Sequence, residues 1–82
     1  SEAIDLGREQ LAQVARGRRL YRSYEMEWQA IDTRLSKMKE QLPEIPDAEE
    51  PEGRATALEA VRNRVGSRME AAGESLRRMF EE

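Results

Sequence analysis

All three prolines of this 82-residue chain fall within one short stretch, "LPEIPDAEEPEG", at positions 43, 46 and 51. Proline lacks a backbone N–H and disfavours helix in the residue before it, so a helix arriving from the N-terminal side should end near Gln41 or Leu42. The stretch also carries acidic side chains at Glu44, Asp47, Glu49, Glu50 and Glu52. We therefore predict an acidic, extended linker over residues 43–52 that divides the chain into two halves.

Before the linker, apolar residues recur every three or four positions, which is typical of one face of a helix. The heptad positions are Val14, Tyr21, Trp28, Leu35 and Leu42, and Tyr24, Ile31 and Met38 follow three positions later. Towards the N-terminus the apolar stripe continues as Ile4, Leu11 and Val14, with a change of phase near Gly17. We predict a helix over about residues 3–42, roughly 60 Å long at 1.5 Å per residue. A continuous helix at Gly17 is favoured, and a kink or a close helix neighbour is the alternative.

After the linker, a weaker apolar stripe predicts a second helix over about residues 53–81. Its members are Leu58, Val61, Val65, Met69, Ala72, Leu76 and then Met79 or Phe80. Gly66 and Gly73 each follow a position of this stripe by one residue. We interpret them as tolerated interior glycines, and a groove for a close helix neighbour is the alternative.

Two amphipathic helices joined by about ten residues predict an all-α fold, an antiparallel two-helix hairpin in a single domain of residues 1–82. So short a chain buries little apolar surface, and bulky aromatic residues on the stripe suit a core wider than two helices. We expect self-association, most simply as a two-fold dimer that forms a four-helix coiled-coil bundle; a different protein anchored by the aromatics is the alternative. The predicted partner or oligomer interface comprises Val14, Tyr21, Tyr24, Trp28, Ile31, Leu35, Met38, Leu42, Leu58, Val61, Val65, Met69 and Leu76.

The stretch "RGRRLYRSYEMEW", residues 16–28, combines arginines with aromatic residues in a chain whose net charge is −3. At about 100° per residue, the helix turns the aromatic side chains towards the stripe and the arginines away from it. We predict a solvated face salt-bridged to Glu25 and Glu27, or a patch for an acidic protein partner, rather than a site for nucleic acid. The arginine cluster consists of Arg16, Arg18, Arg19 and Arg22.

Cysteine and histidine are both absent, which removes disulfides, the usual zinc ligand sets and the residue most used for proton transfer near neutral pH. The acidic residues of the linker lack the order of a calcium loop, and no glycine-rich phosphate loop occurs. We predict no enzymatic activity, no cofactor and no metal. No apolar run approaches the roughly 20 residues that span a bilayer, so we expect no membrane association and a cytoplasmic location.

The length and helix–turn–helix layout are similar to those of small bacterial secretion components, namely WXG100 proteins, type III needle subunits and their hairpin chaperones. Trp28, however, is followed by Gln29 and Ala30 inside the first helix, whereas WXG100 proteins carry Trp-x-Gly at the turn. "LPEIPDAEEP" resembles the proline-bounded turn of needle subunits but is longer. The resemblance is architectural, and no family is assigned on it.

We predict a non-enzymatic helical interaction module that acts in protein assembly in a bacterial cytoplasm, as an adaptor, a chaperone-like protein or a structural subunit. Two alternatives remain. One is a small regulator that contacts nucleic acid through the arginine cluster, and the other is a secreted hairpin component of a bacterial secretion system.

Overall fold

The computed structural model describes residues 1–81, and these form two long helices that pack against each other. Helix α1 spans Glu2–Gln41, a single 3-10 turn spans Leu42–Glu44, and helix α2 spans Glu49–Arg78. No strand occurs in residues 1–81. The predicted all-helical hairpin is confirmed, and the molecule is a rod of 69 × 16 × 14 Å.

Helix α1 begins immediately after Ser1, which acts as its N-cap. The Ser1 hydroxyl accepts a hydrogen bond of 3.3 Å from the backbone N–H of Ile4, so one of the unpaired donors of the first turn is satisfied. Glu2 and Asp5 lie in the same turn, where negative charge is favoured by the helix dipole. The helix then continues without interruption past Gly17, as predicted.

The connection between the helices is shorter than the predicted linker, and α2 begins four residues earlier than expected. Pro51 is the reason, because it is the third residue of α2 and lies where the backbone N–H would have no partner within the helix. The first helical bond of α2 runs from the Glu52 N–H to the Ala48 carbonyl at 2.8 Å. Three acidic residues in this first turn, Glu49, Glu50 and Glu52, also favour a helix start here. Within the connection between the helices, only residues 45–48 lie outside regular structure.

Contacts between the helices run in opposite directions along the chain, which makes the hairpin antiparallel. Asp32 pairs with Arg62, and Lys39, later in α1, pairs with Glu59, earlier in α2. The centre of the interface is narrow. Among residues 1–81, its buried apolar side chains are Leu35, which is fully buried, and Ala55, Val65 and Ala72.

Three glycines allow the helices to approach closely, and each is covered by a large side chain of the opposite helix. A Cβ placed on Gly66 would lie 3.1 Å from Trp28 Nε1, and one placed on Gly73 would lie 3.0 Å from Tyr21 Cε2. On α1, a Cβ on Gly17 would lie 3.2 Å from a terminal methyl of Leu76. The interpretation of Gly66 and Gly73 as merely tolerated is therefore wrong, since both form shallow seats for aromatic rings.

The helices differ in length, so one end of the hairpin is left open. Gly17 already lies opposite Leu76 and Met79, at the last turn of α2, and the part of α1 before it extends further. We call this region the open end and define it as residues 2–13 of α1 together with Met79, Phe80 and Glu81. Met79 and Phe80 lie in a turn that follows α2.

Candidate interaction surface at the open end

The predicted interface residues lie on the side of each helix that faces the other. Leu35 and Val65 are buried, and the other eleven of the set are partly buried. Their first role is thus to hold α1 against α2, and their role in contact with a partner stays a prediction. Trp28 and Tyr21 fit between two helices because glycine provides the space, which weakens the argument that they require a wider core.

Large apolar side chains are concentrated at the open end, where no second helix covers them. Leu11 is 72% exposed and Phe80 is 63% exposed. Ile4, Leu6 and Met79 are also exposed. The predicted stripe thus continues beyond the hairpin's own interface, because α2 is too short to cover it.

Two shallow grooves flank this part of α1 and share Leu11 and Val14. One groove, of about 350 Å³, has an apolar floor of Leu11, Val14 and Ala15 and a rim of Arg18, Arg19 and Arg22. The other, of about 450 Å³, lies between α1 and the turn that carries Met79 and Phe80. An apolar floor with a cationic rim suits an amphipathic partner that carries carboxylates.

The arginine cluster is exposed, and its charges are not neutralised within the hairpin. Among residues 1–81, no carboxylate lies within 4.0 Å of Arg16, Arg18, Arg19 or Arg22. The expected salt bridges to Glu25 and Glu27 do not form in this structure. Unpaired guanidinium groups keep their full electrostatic attraction for an external anion, and so the cluster is a second part of the candidate surface.

Ion pairs occur instead along α2 and across the middle of the hairpin. Arg62 of α2 donates to Asp32 of α1 at 2.8 Å, and both side chains are partly buried. Sequence periodicity did not identify this pair, because the two residues are 30 positions apart and each lies beside the apolar stripe rather than on it. The pair links the two helices across their interface in this register.

A second group of charged side chains lies at the C-terminal end of α2. Arg77 donates to Glu74 at 2.6 Å, and Arg78 lies 3.4 Å from the same carboxylate. The hydrogen bond from Arg77, with the charges of Arg77 and Arg78, holds the pKa of Glu74 below its usual range. These groups are paired among themselves, unlike those of the arginine cluster.

Neither a metal-binding cluster nor a membrane-spanning helix is found within residues 1–81. Within residues 1–81, no three acidic side chains come together in an arrangement that would hold a metal ion. Neither α1 nor α2 contains an apolar run long enough for a membrane span.

Comparison with known proteins adds no family to this description. No protein-family model, no curated protein and no solved structure matches the chain.

Proposed function

We propose that this protein is a non-enzymatic helical module that acts in protein assembly by self-association, most simply as a two-fold dimer in which four helices meet. A structural subunit, an adaptor or a chaperone-like protein would each use such a module. The observation that supports the proposal is the open end, where Leu11, Phe80 and their apolar neighbours are exposed together.

The physical argument rests on how much of the chain's apolar surface its own fold covers. Within residues 1–81, four apolar side chains are buried, whereas eight large ones remain exposed. Five of the eight belong to the open end, in two short segments that lie side by side. Exposed apolar side chains gathered in one place favour contact with another protein surface.

Sedimentation equilibrium at micromolar concentration tests the proposal directly. The native chain should have the mass of a dimer, and Leu11→Ser combined with Phe80→Ser should shift it towards monomer. Met26→Ser is the matched control, because Met26 is equally exposed on α1 but lies outside the open end. A folded native monomer at all concentrations would contradict self-association.

A second candidate function is contact with nucleic acid through the arginine cluster. It is favoured by one observation, the lack of any nearby carboxylate for these four arginines within residues 1–81. Against it stands the net charge of −3, which repels phosphate at long range. The aromatic rings of Tyr21 and Trp28 are also seated on glycines of α2 and are not free to stack on bases.

A further inference from the structure

We infer that one side of the hairpin is a docking groove for an amphipathic helix of another protein, and that this helix carries acidic residues beside its apolar stripe. The groove runs along the seam between α1 and α2. We call this side the basic flank and define it as the side of the seam on which Arg34 and Arg64 lie. The inference goes beyond self-association, because it concerns the length of the hairpin and a different kind of partner.

The two sides of the seam differ in their ion pairs. Asp32 pairs with Arg62 across one side at 2.8 Å, and the other ion pair between the helices lies on the same side. Arg34 and Arg64 each follow a member of the Asp32–Arg62 pair by two positions. Two positions turn a helix by about 200°, which places both arginines on the opposite side of the seam. On that side, no ion pair joins the helices within residues 1–81.

The basic flank contains two apolar hollows, each formed by side chains of both helices. One, of about 310 Å³, lies between Met38 of α1 and Ala57 and Val61 of α2. The other, of about 230 Å³, adjoins the open end and lies between Leu20 and Ser75. Leu20 and Met38 are 18 residues apart, as are Ala57 and Ser75. Because 18 residues make about five full helical turns, both hollows lie on the same side of the hairpin.

A row of apolar side chains on α1 connects the two hollows. Tyr24, Ile31 and Met38 are seven residues apart and partly buried, and Leu20 precedes them with 51% exposure. The row from Leu20 to Met38 is about 27 Å long at 1.5 Å per residue. A groove with such a floor fits a helix of similar length whose apolar residues recur every three or four positions.

The charged side chains of the basic flank are mostly arginine. At 100° per residue, five arginines and two glutamates turn towards it between the two hollows, and Arg19 and Lys37 at its outer edge are basic as well. Glu50 is paired with Arg54 at 3.0 Å. The other four arginines and one glutamate have no oppositely charged group within 4.0 Å among residues 1–81. The seven charged residues are Arg16, Glu27, Arg34, Glu50, Arg54, Arg64 and Arg68.

Charge complementarity indicates which occupant fits this groove. An acidic amphipathic helix would place carboxylates beside the unpaired arginines while its apolar stripe covers the floor. A second copy bound through the same flank would bring these arginines against their own counterparts about a two-fold axis, which like charge disfavours. Nucleic acid would meet the arginines with its phosphates but would leave the apolar floor in contact with water.

A labelled synthetic peptide tests the groove directly. The probe has about 20 residues, enough for roughly 30 Å of helix, with leucine every three or four positions and glutamate beside the leucines. Its controls are the same peptide with lysine in place of each glutamate, and the acidic peptide with its residue order shuffled. By fluorescence anisotropy at near-physiological salt, the acidic peptide should bind at least about tenfold more tightly than either control.

Charge reversal on the hairpin tests where the peptide binds. Arg34→Glu with Arg64→Glu should weaken binding of the acidic peptide at least about tenfold, because both guanidinium groups border the groove. Arg18→Glu with Arg22→Glu is the matched control and should change binding much less. These two arginines are also exposed and change the net charge equally, but they lie at least about 120° around α1 from Arg34.

Filling a hollow tests the apolar floor. Ala57 is exposed and lines the first hollow, so Ala57→Glu should weaken peptide binding without disturbing the packing of the hairpin. Thr56→Glu introduces the same charge about 100° away around α2 and should leave binding unchanged. Without peptide, Ala57→Glu should leave the mass of the native chain unchanged in sedimentation equilibrium.

The outcomes distinguish this groove from general attraction between charges. Preference for the acidic peptide, lost on changing Arg34 and Arg64 but kept on changing Arg18 and Arg22, supports the inference. No binding of the acidic peptide, equal binding of a control peptide, or equal losses in the two arginine variants overturns it.

Two further results would assign the surface to a different occupant and so overturn the inference as well. One is loss of a native dimer in Ala57→Glu, which would make a second copy the occupant. The other is binding of single-stranded DNA of similar length as tightly as the acidic peptide, with the same loss in the Arg34 and Arg64 variant.

Discussion

The indole ring of Trp28 is seated directly on Gly66, so closely that a Cβ added to the glycine would lie 3.1 Å from Nε1. Tyr21 is placed in the same way on Gly73, one heptad further along the interface. Two glycines spaced seven apart on α2 thus receive two aromatic residues spaced seven apart on α1. Bulky rings fit into a two-helix interface because the facing positions have no side chain.

Filling either seat should destabilise the hairpin. Gly66→Leu or Gly73→Leu forces an aromatic ring out of place and should lower the free energy of unfolding by about 1–3 kcal/mol, as overpacking does. Gly53→Leu is the control, because nothing lies within 4 Å of a Cβ there, and leucine should gain up to about 1 kcal/mol from its better helix propensity. Urea unfolding measures all three. Equal effects at Gly53 and Gly66 would show that the seat is not formed.

Leu35 is the most deeply buried large side chain, with 0% exposure, and its truncation should be costly. Leu35→Ala should lower the free energy of unfolding by about 2–5 kcal/mol, because it removes buried methyl groups and leaves a cavity. Met26→Ala, on the exposed side of the same helix, should change it by less than about 0.5 kcal/mol. Both are measured by denaturant unfolding at one fixed protein concentration, since the proposed self-association would contribute to apparent stability. A small loss at Leu35 would argue against the packing described.

Much of this fold follows from periodicity alone. The three-and-four spacing predicted both helices and placed Leu35 and Val65 on the buried side, because a helix of fixed pitch leaves little choice of face. The predicted start of α2 was wrong because Pro51 was placed in the linker. Proline is disfavoured in the interior of a helix but is tolerated in its first turn, where Pro51 lies.

The glycine seats and the Arg62–Asp32 pair were beyond prediction from one sequence, because they depend on the register between helices rather than on either helix alone. The candidate surface was predicted only in part. The predicted ranges, about residues 3–42 and 53–81, make α1 the longer helix, but which apolar residues remain exposed depends on the register as well. The lack of salt bridges at the arginine cluster depends on side-chain placement, which spacing does not determine.

Glu74 provides a test of local electrostatics by pH. Its pKa is lowered from an ordinary value of 4.5, chiefly by the hydrogen bond from Arg77. A lowered carboxylate pKa contributes stability that is present above the unfolded-state pKa and is lost as the pH falls through the folded-state pKa. Arg77→Gln should therefore raise the pKa of Glu74 towards 4.5, and the stability difference from the native chain should vanish in acid.

Carbon-detected NMR titration of the Glu74 carboxyl group measures this shift. Arg64→Gln is the control, because Arg64 is an exposed arginine earlier in α2 and should leave Glu74 unchanged. An unaltered Glu74 titration in the Arg77 variant would mean that the pair seen here does not persist in solution.

The arginine cluster should not bind nucleic acid specifically. The overall charge of −3 opposes phosphate, and the rings that would stack on bases are held against Gly66 and Gly73. Titration of labelled single- and double-stranded DNA and RNA at near-physiological salt should therefore show binding weaker than micromolar. Four phosphate contacts would give a logarithmic salt slope of about −3 to −4, so weak binding at low salt is expected. Micromolar or tighter affinity that is lost when Arg18, Arg19 and Arg22 are replaced together would instead make nucleic acid the ligand of this surface.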